Sequence, residues 1–248
     1  GEADYLLVLY PPILGKTRAV VTGARRIRRR LGGHLEPLMH TSLLMARGQS
    51  LDVVSQAEAL EGFRPVREDL HRLSQALYMA ELVDAITPDE EPNYPVYRLL
   101  LDSLRYLAVG DSPALVPFFQ LHLLEHSGFQ PELYRCVECS STLAPGLHRF
   151  APDRGGVLCT SCRPPGVSIL PVSLNALKVL RFLQKEVYSA VERLHLERDI
   201  LLEMERLLDA LVRQVLDREV KASRFLHQVS QDRERAEAAA SPSNNIKE

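Results

Sequence analysis

The chain has 248 residues, 30 Lys and Arg against 32 Asp and Glu for a formal charge of −2, and an apolar fraction of 46 %. That length holds one large domain or two modest ones around a packed core. No stretch approaches the roughly 20 uninterrupted apolar residues of a membrane helix and no secretory apolar segment opens the chain, so a soluble, globular, cytosolic protein is expected.

The first 62 residues read as β structure. Tyr5-Leu6-Leu7-Val8-Leu9-Tyr10 is a short apolar run ended by Pro11-Pro12, and Gly15 permits the turn into a second strand at 17–22, which predicts a hairpin. Around that strand the charge is one-sided: Lys16, Arg18, Arg25, Arg26, Arg28, Arg29 and Arg30 fall between Lys16 and Leu35 without one Asp or Glu. Cations gathered on a loop and its flanking strand displace counterions from a nucleic acid, an attraction indifferent to base sequence and weakened by salt. The plain alternative is a solvated surface loop. After Gly32-Gly33, two further strands are predicted at 37–46 and 51–60, and several short strands joined by tight turns indicate a small barrel or sandwich.

From Val66 the period becomes helical, with Val66, Leu70, Leu73, Leu77 and Ala80 on one face and Asp69, Arg72 and Gln75 elsewhere. A linker rich in acid and proline at 87–95 precedes a helix carrying Leu100, Leu101, Leu104 and Leu107. A third helix, 113–127, is apolar on nearly all sides and belongs at the centre. Farther on, Ser173 is placed to cap a helix bearing Leu177, Leu180 and Leu183, and the last long helix aligns Leu201, Met204, Leu208, Leu211 and Val215 toward a core. Residues beyond Gln231 are charged, then Ala-rich, then Ser-Pro-Ser-Asn-Asn, and a disordered tail is expected there.

All four cysteines fall in two pairs, Cys136-Val137-Glu138-Cys139 and Cys159-Thr160-Ser161-Cys162. Each Cys-x-x-Cys turns two thiolates toward one metal, and two such turns complete a tetrahedron around zinc. A closed thiolate shell leaves no position for water, so such a zinc is structural. Two disulfides or a redox dithiol are the alternatives the same spacing admits, although no secretory or thioredoxin-like context accompanies the cysteines. A second pattern, His122-Leu123-Leu124-Glu125-His126, matches that of inverted zinc peptidases, in which histidines one helical turn apart bind zinc and a Glu activates water. No third ligand is identifiable for it, and hydrogen-bonded core histidines account for the same residues. Phosphate-loop, nucleophile-elbow and dinucleotide-binding patterns are absent from the sequence.

The order of these parts, a β module with a basic loop, then helices, then a four-cysteine ribbon among helices, resembles the RecO family of bacterial DNA-repair proteins. The wording is close in Gly1-Glu2-Ala3-Asp4-Tyr5-Leu6-Leu7, in Gly15-Lys16-Thr17-Arg18-Ala19 with Gly23-Ala24-Arg25-Arg26, and in Arg30-Leu31-Gly32-Gly33-His34-Leu35-Glu36-Pro37. The resemblance implies an α+β protein: an OB-fold nucleic-acid-binding domain over 1–62, an α-helical domain over 63–230 with a zinc finger at 134–164, and the tail at 231–248. Because members normally carry a strand before the Gly-Glu-Ala-Asp segment, the barrel is expected to lack its first strand and leave an open edge. It further implies no bond-making chemistry, a cytoplasmic and nucleoid-associated location, binding and annealing of single- and double-stranded DNA, and work with RecR to load RecA onto DNA coated by single-stranded-DNA-binding protein. The basic positions from Lys16 to Arg30 become the candidate DNA contacts, and Cys136, Cys139, Cys159 and Cys162 the candidate ligands of one Zn2+. Two other readings stand beside this one: a zinc-stabilised protein-interaction adaptor, and a zinc peptidase built on His122, Glu125 and His126.

Overall fold

The computed structural model describes residues 5–21, 33–110, 112–216 and 221–240. Its N-terminal part is a four-stranded sheet of β1 (Tyr5–Leu9), β2 (Thr17–Val21), β3 (His40–Ala46) and β4 (Asp52–Glu61), in the order β1-β2-β4-β3. The β1–β2 hairpin forms as predicted, with Tyr5 opposite Val21 and Leu9 opposite Thr17. β2 and β4 run parallel through Ala19 and Val20, whereas β3 and β4 are antiparallel with irregularities at His40/Thr41 and Leu44/Met45 that bend the long β4. Among the described residues no pairing joins the β1 edge to the β3 edge.

Alternation along the strands produces only a small core. Ala19, Val21 and Val54 are buried, with Leu7, Leu9, Leu35, Leu43 and Met45 partly covered around them. The other face of β1 leaves Leu6 and Val8 exposed, an apolar face on an edge strand.

A second layer begins with α1 (Arg64–Glu68) and α2 (Leu70–Ile86). The continuous helix expected from Val66 is interrupted at Asp69, whose extended backbone lets its carboxylate accept the Arg72 amide at 3.0 Å and start a new helix. α3 (Tyr94–Val109) is capped by Asn93, which accepts the Val96 amide at 3.1 Å and is followed by Pro95 in the first turn. α4 (Leu115–His126) is buried on nearly every side, as its composition predicts, and forms the centre of the main core with Phe119, Leu123 and Leu124 fully enclosed. α5 (Leu174–Lys185) starts at Ser173, whose hydroxyl accepts the Ala176 amide at 3.1 Å. The short α6 (Tyr188–Val191) and the long amphipathic α7 (Arg198–Leu216) close the layer, α7 burying Met204, Leu207, Leu208, Leu211 and Val212.

Between α4 and α5 lies a three-stranded sheet, β6-β5-β7, made of β5 (His148–Ala151), β6 (Gly156–Leu158) and β7 (Leu170–Val172). A further helix, α8 (Lys221–Ala240), corrects the expectation of disorder from Gln231 as far as Ala240. Its physical basis is twofold: Leu226 and Val229 are buried in its first half, and beyond them the Ala, Glu and Arg residues are strong helix formers. The His227 imidazole, 3.2 Å from Asp209 on α7, and the Ala222 amide, donated to Glu81 at 2.6 Å, tie it down.

Candidate nucleic-acid interface and metal centre

The hairpin turn is fixed by contact with the helical layer. Gly15 has φ of +68°, and a Cβ there would stand 2.0 Å from the Glu91 carbonyl oxygen, so both backbone conformation and space require glycine. The next residues continue the contact: Lys16 pairs with Asp89 in an isolated parallel bridge, and the Glu90 amide donates to the Lys16 carbonyl at 2.7 Å. The linker at 87–95 is therefore a docking strip for the hairpin.

This contact divides the seven basic candidates. Lys16 is buried, 7 % exposed, and its ammonium donates to the Asp84 carbonyl at 2.5 Å while lying 3.5 Å and 3.1 Å from the Asp84 and Asp89 carboxylates. Arg18 is exposed and pairs with Asp89, and that guanidinium, followed by Lys16, holds the Asp89 carboxyl below its ordinary range. Arg25, Arg26, Arg28, Arg29 and Arg30 lie outside the described residues. The structure thus brings Lys16 and Arg18 together around Asp89, and sequence reasoning had no local signal for those acids, which lie about 70 residues away on the end of α2 and the strip.

A second clasp, also silent in the sequence, joins the far end of the sheet to α3. Glu61, at the end of β4, accepts two hydrogen bonds from Arg105, at 2.9 Å and 2.6 Å, and lies 2.9 Å from His40 Nδ1. The Tyr97 hydroxyl meets His40 Nε2 at 3.1 Å. The Arg105 guanidinium, followed by His40, pulls the Glu61 carboxyl down to about 2, against the opposing pull of burial.

The four predicted metal ligands converge. The Sγ atoms of Cys136, Cys139, Cys159 and Cys162 all lie within 4.8 Å of one another, and they form the one such cluster of metal-ligating side chains among the described residues. Cys139 and Cys159 stand 3.9 Å apart, close to the ~3.8 Å edge of a tetrahedron with 2.3 Å metal–sulfur bonds and far from a disulfide. Local backbone shapes the first turn: Ser140 takes φ of +58°, its amide returns to the Cys136 carbonyl at 2.8 Å, and the Cys136 amide donates to Ser141 at 2.8 Å. The second turn follows β6, and the Cys159 amide donates to Cys136 Sγ at 3.3 Å. Gly156 holds the two halves together, because a Cβ there would meet the Glu132 carbonyl at 2.5 Å.

Charge in this cluster is mismatched without a cation. The Ser141 hydroxyl, joined by its amide and by Cys136, draws the Cys139 thiol down to about 6, while hydrogen bonding to Cys159 and Cys139 pushes the Cys162 thiol up to about 12. A dication at the centre of the four sulfurs would hold all of them as thiolates, and the donor set fits zinc. His148 takes no part: its Nε2 is 2.6 Å from the Ala144 carbonyl.

The His-x-x-Glu-His motif on α4 is occupied otherwise. His122 Nε2 hydrogen-bonds the Leu183 carbonyl at 3.0 Å, its Nδ1 is 3.3 Å from Glu125, and its ring packs on Phe118 with centroids 4.2 Å apart. With both His122 nitrogens engaged within the helical layer, the motif holds α4 to α5 and the peptidase reading loses its ligand.

Comparison with known proteins accords with this architecture. Residues 1–63 match a family described as Recombination protein O N terminal, and residues 67–224 match one described as Recombination protein O C terminal. A protein of Roseiflexus sp. (strain RS-1) named DNA repair protein RecO is 39 % identical over 232 residues, 93 % of this chain and 82 % of that one. Proteins of the same name from Dehalococcoides mccartyi (strain CBDB1) and Symbiobacterium thermophilum are 36 % and 37 % identical, covering 91 % of this chain and 89 % and 90 % of their own. A sheet, a helical layer and a four-cysteine cluster in this order, with such identity over nearly the whole length, establish that the chain belongs to the RecO family of DNA-repair proteins.

Proposed function

We propose that this protein is a non-enzymatic mediator of DNA repair and recombination that binds single- and double-stranded DNA, anneals complementary strands and, with RecR, helps load RecA onto DNA coated by single-stranded-DNA-binding protein. The observation that carries this reading is family membership over more than nine-tenths of the chain, at 36 % to 39 % identity to proteins named for DNA repair. The four-stranded sheet is then the OB-fold module, the cysteine cluster holds one structural Zn2+, and the place of work is the bacterial cytoplasm and nucleoid.

The chemistry asked of such a protein is modest. Annealing requires two polyanions to be held close while base pairing supplies the driving force, and a cationic surface does this by releasing counterions. Within the proposal Arg25, Arg26, Arg28, Arg29 and Arg30 are the phosphate contacts. Arg18 flanks them, and Lys16 is assigned a different task, anchoring the hairpin to the helical layer through Asp84 and Asp89. Zinc supplies a fixed tetrahedral junction for the ribbon and no reaction step.

The test is a titration of fluorescent single-stranded DNA with the zinc-loaded protein at several salt concentrations, beside the Arg28→Ala/Arg29→Ala/Arg30→Ala variant. Loss of three phosphate contacts makes the log–log salt slope shallower by about 2. Wild-type binding that does not respond to salt contradicts the proposal and returns the chain to the adaptor reading.

A further inference from the structure

The helix α5 carries a one-sidedly charged face. Its twelve residues, Leu174–Lys185, contain Lys178, Arg181 and Lys185 and not one acid. At 100° per residue these three fall within a single outward arc, opposite the buried Ala176, Leu177, Leu180 and Leu183. Beside that arc, next to Lys178 on the same outward face, sits Phe182, 36 % exposed, where an amphipathic helix ordinarily places a polar residue.

The segment before the first cysteine pair lies along the same face. Arg181 donates to the Leu133 carbonyl at 2.8 Å, Gln184 donates to the Pro131 carbonyl at 2.9 Å, and the Arg181 guanidinium stands 4.9 Å over the Tyr134 ring. Tyr134 is thereby held flat against the helix while 46 % of its surface remains exposed. The nearest acid of that segment, Glu132, accepts the Tyr134 and Arg135 amides at 2.7 Å and 3.0 Å.

Charge is also unbalanced. Lys16, Arg18, Arg67 and Arg105 each have a carboxylate partner. Among the described residues Lys178, Arg181 and Lys185 have none. Unpaired cations beside exposed aromatic rings are the two components of a surface for single-stranded nucleic acid, phosphates meeting the former and bases stacking on the latter. Lys178 and Lys185 are about 10 Å apart along the helix, the rise of roughly three stacked nucleotides.

We infer that the α5 face, Lys178, Arg181, Phe182 and Lys185 with Tyr134, is a second binding surface for single-stranded nucleic acid, separate from the basic hairpin. The inference rests on the proposed function and deepens it. α5 packs on α4 and α7, whereas the hairpin docks on the end of α2 and the 87–95 strip, so the two cationic surfaces belong to different parts of the molecule. One chain can then hold two strands at once, the condition annealing requires.

The experiment titrates a fluorescent oligothymidine with zinc-loaded full-length protein across a salt series, using wild type and, in the Arg28→Ala/Arg29→Ala/Arg30→Ala background that weakens the hairpin site, the parent, Lys178→Gln/Lys185→Gln and Phe182→Leu. Both lysines are exposed, so thermal midpoints of the lysine variant stay at the parent value. Losing two phosphate contacts weakens binding about 25-fold at 0.1 M salt and makes the slope shallower by about 1.4. Phe182→Leu keeps the apolar bulk and the slope but weakens binding about tenfold through lost stacking. Unchanged affinity and slope in the lysine variant, with salt-dependent wild-type binding, overturns the second surface and leaves the hairpin reading intact. Salt-independent binding by the wild type overturns both.

Discussion

The sheet and the helical layer are stabilised in different ways. The helical layer and ribbon share one continuous apolar core that runs from Phe63 to Leu226, with α4 at its centre. Among the described residues the sheet buries three side chains of its own, Ala19, Val21 and Val54, and meets its neighbour through the packing of Tyr10 and Leu38 on the main core and through polar clasps, Lys16 with Asp84 and Asp89, Glu36 with Arg67, and Glu61 with Arg105 and His40. Apolar burial is nondirectional and proportional to area, whereas ion pairs at partly exposed sites contribute little each but fix orientation. The helical layer is therefore the scaffold, and the sheet is a weakly self-supporting element held at a defined angle upon it. Under the proposed function, a surface that accommodates a flexible polyanion suits the less stable of the two parts.

Removing the proposed zinc breaks the comparison most severely. Chelation, or Cys136→Ser, withdraws on the order of 10 kcal/mol of binding energy from the ribbon. The β5–β7 sheet and the 131–134 segment then lose protection in hydrogen exchange, while the β1–β2 hairpin does not change. Next comes truncation of the two cores. Phe119→Ala at the centre of α4 costs about 4 kcal/mol in chemical denaturation, against about 1 to 2 kcal/mol for Val54→Ala in a core that has little to lose.

Smaller effects sharpen the contrast. Lys16→Met leaves Asp84 and Asp89, each about half exposed, facing an apolar side chain. It costs about 1 to 3 kcal/mol and appears as faster proteolysis of the hairpin without a change in the unfolding of the helical layer. For the Glu61 clasp the sign follows from the carboxyl, which is lowered from 4.5 to about 2 in the folded protein. Its contribution is complete above pH 4.5 and is lost as pH falls toward 2. With the carboxylate 32 % exposed, the loss is under about 2 kcal/mol, and Glu61→Gln removes this part of the acid sensitivity measured in a pH series of denaturation curves. Smallest is the α8 latch. Asp209, aided by Glu205 and opposed by Arg213, raises the His227 imidazole above 6.5, so its stabilisation is complete below that pH and disappears as pH rises through the raised value. Exposure keeps the effect below about 1 kcal/mol, read as increased exchange of α8 amides at alkaline pH that His227→Gln abolishes.

What was legible in the sequence is local. The β1–β2 hairpin, the cap at Ser173, the enclosed α4 and the two cysteine turns each depend on residues a few positions apart, and the structure forms all of them. What was not legible depends on distant partners. Lys16 and Arg18 look alike in a basic run, yet one is buried against residues 68 and more positions away and the other is exposed. Glu61 and Arg105 are 44 positions apart, and no periodicity relates them. Asp69 was counted among the polar positions of one helix, but its side chain begins another, because a short acid accepting its own downstream amide competes with helix continuation. The helix beyond Gln231 was missed because composition alone does not disclose that Leu226 and Val229 find a buried surface to dock on.

Hydrogen exchange of the zinc-loaded, full-length protein tests the division between scaffold and clasped sheet most directly. Amides of α4 and α7 are predicted to open only with global unfolding, and amides of β2 and β4 by a separate, lower-energy opening that Lys16→Met makes easier still. A single cooperative opening, with β2 and β4 protected as strongly as α4 and unaffected by Lys16→Met, would contradict the account.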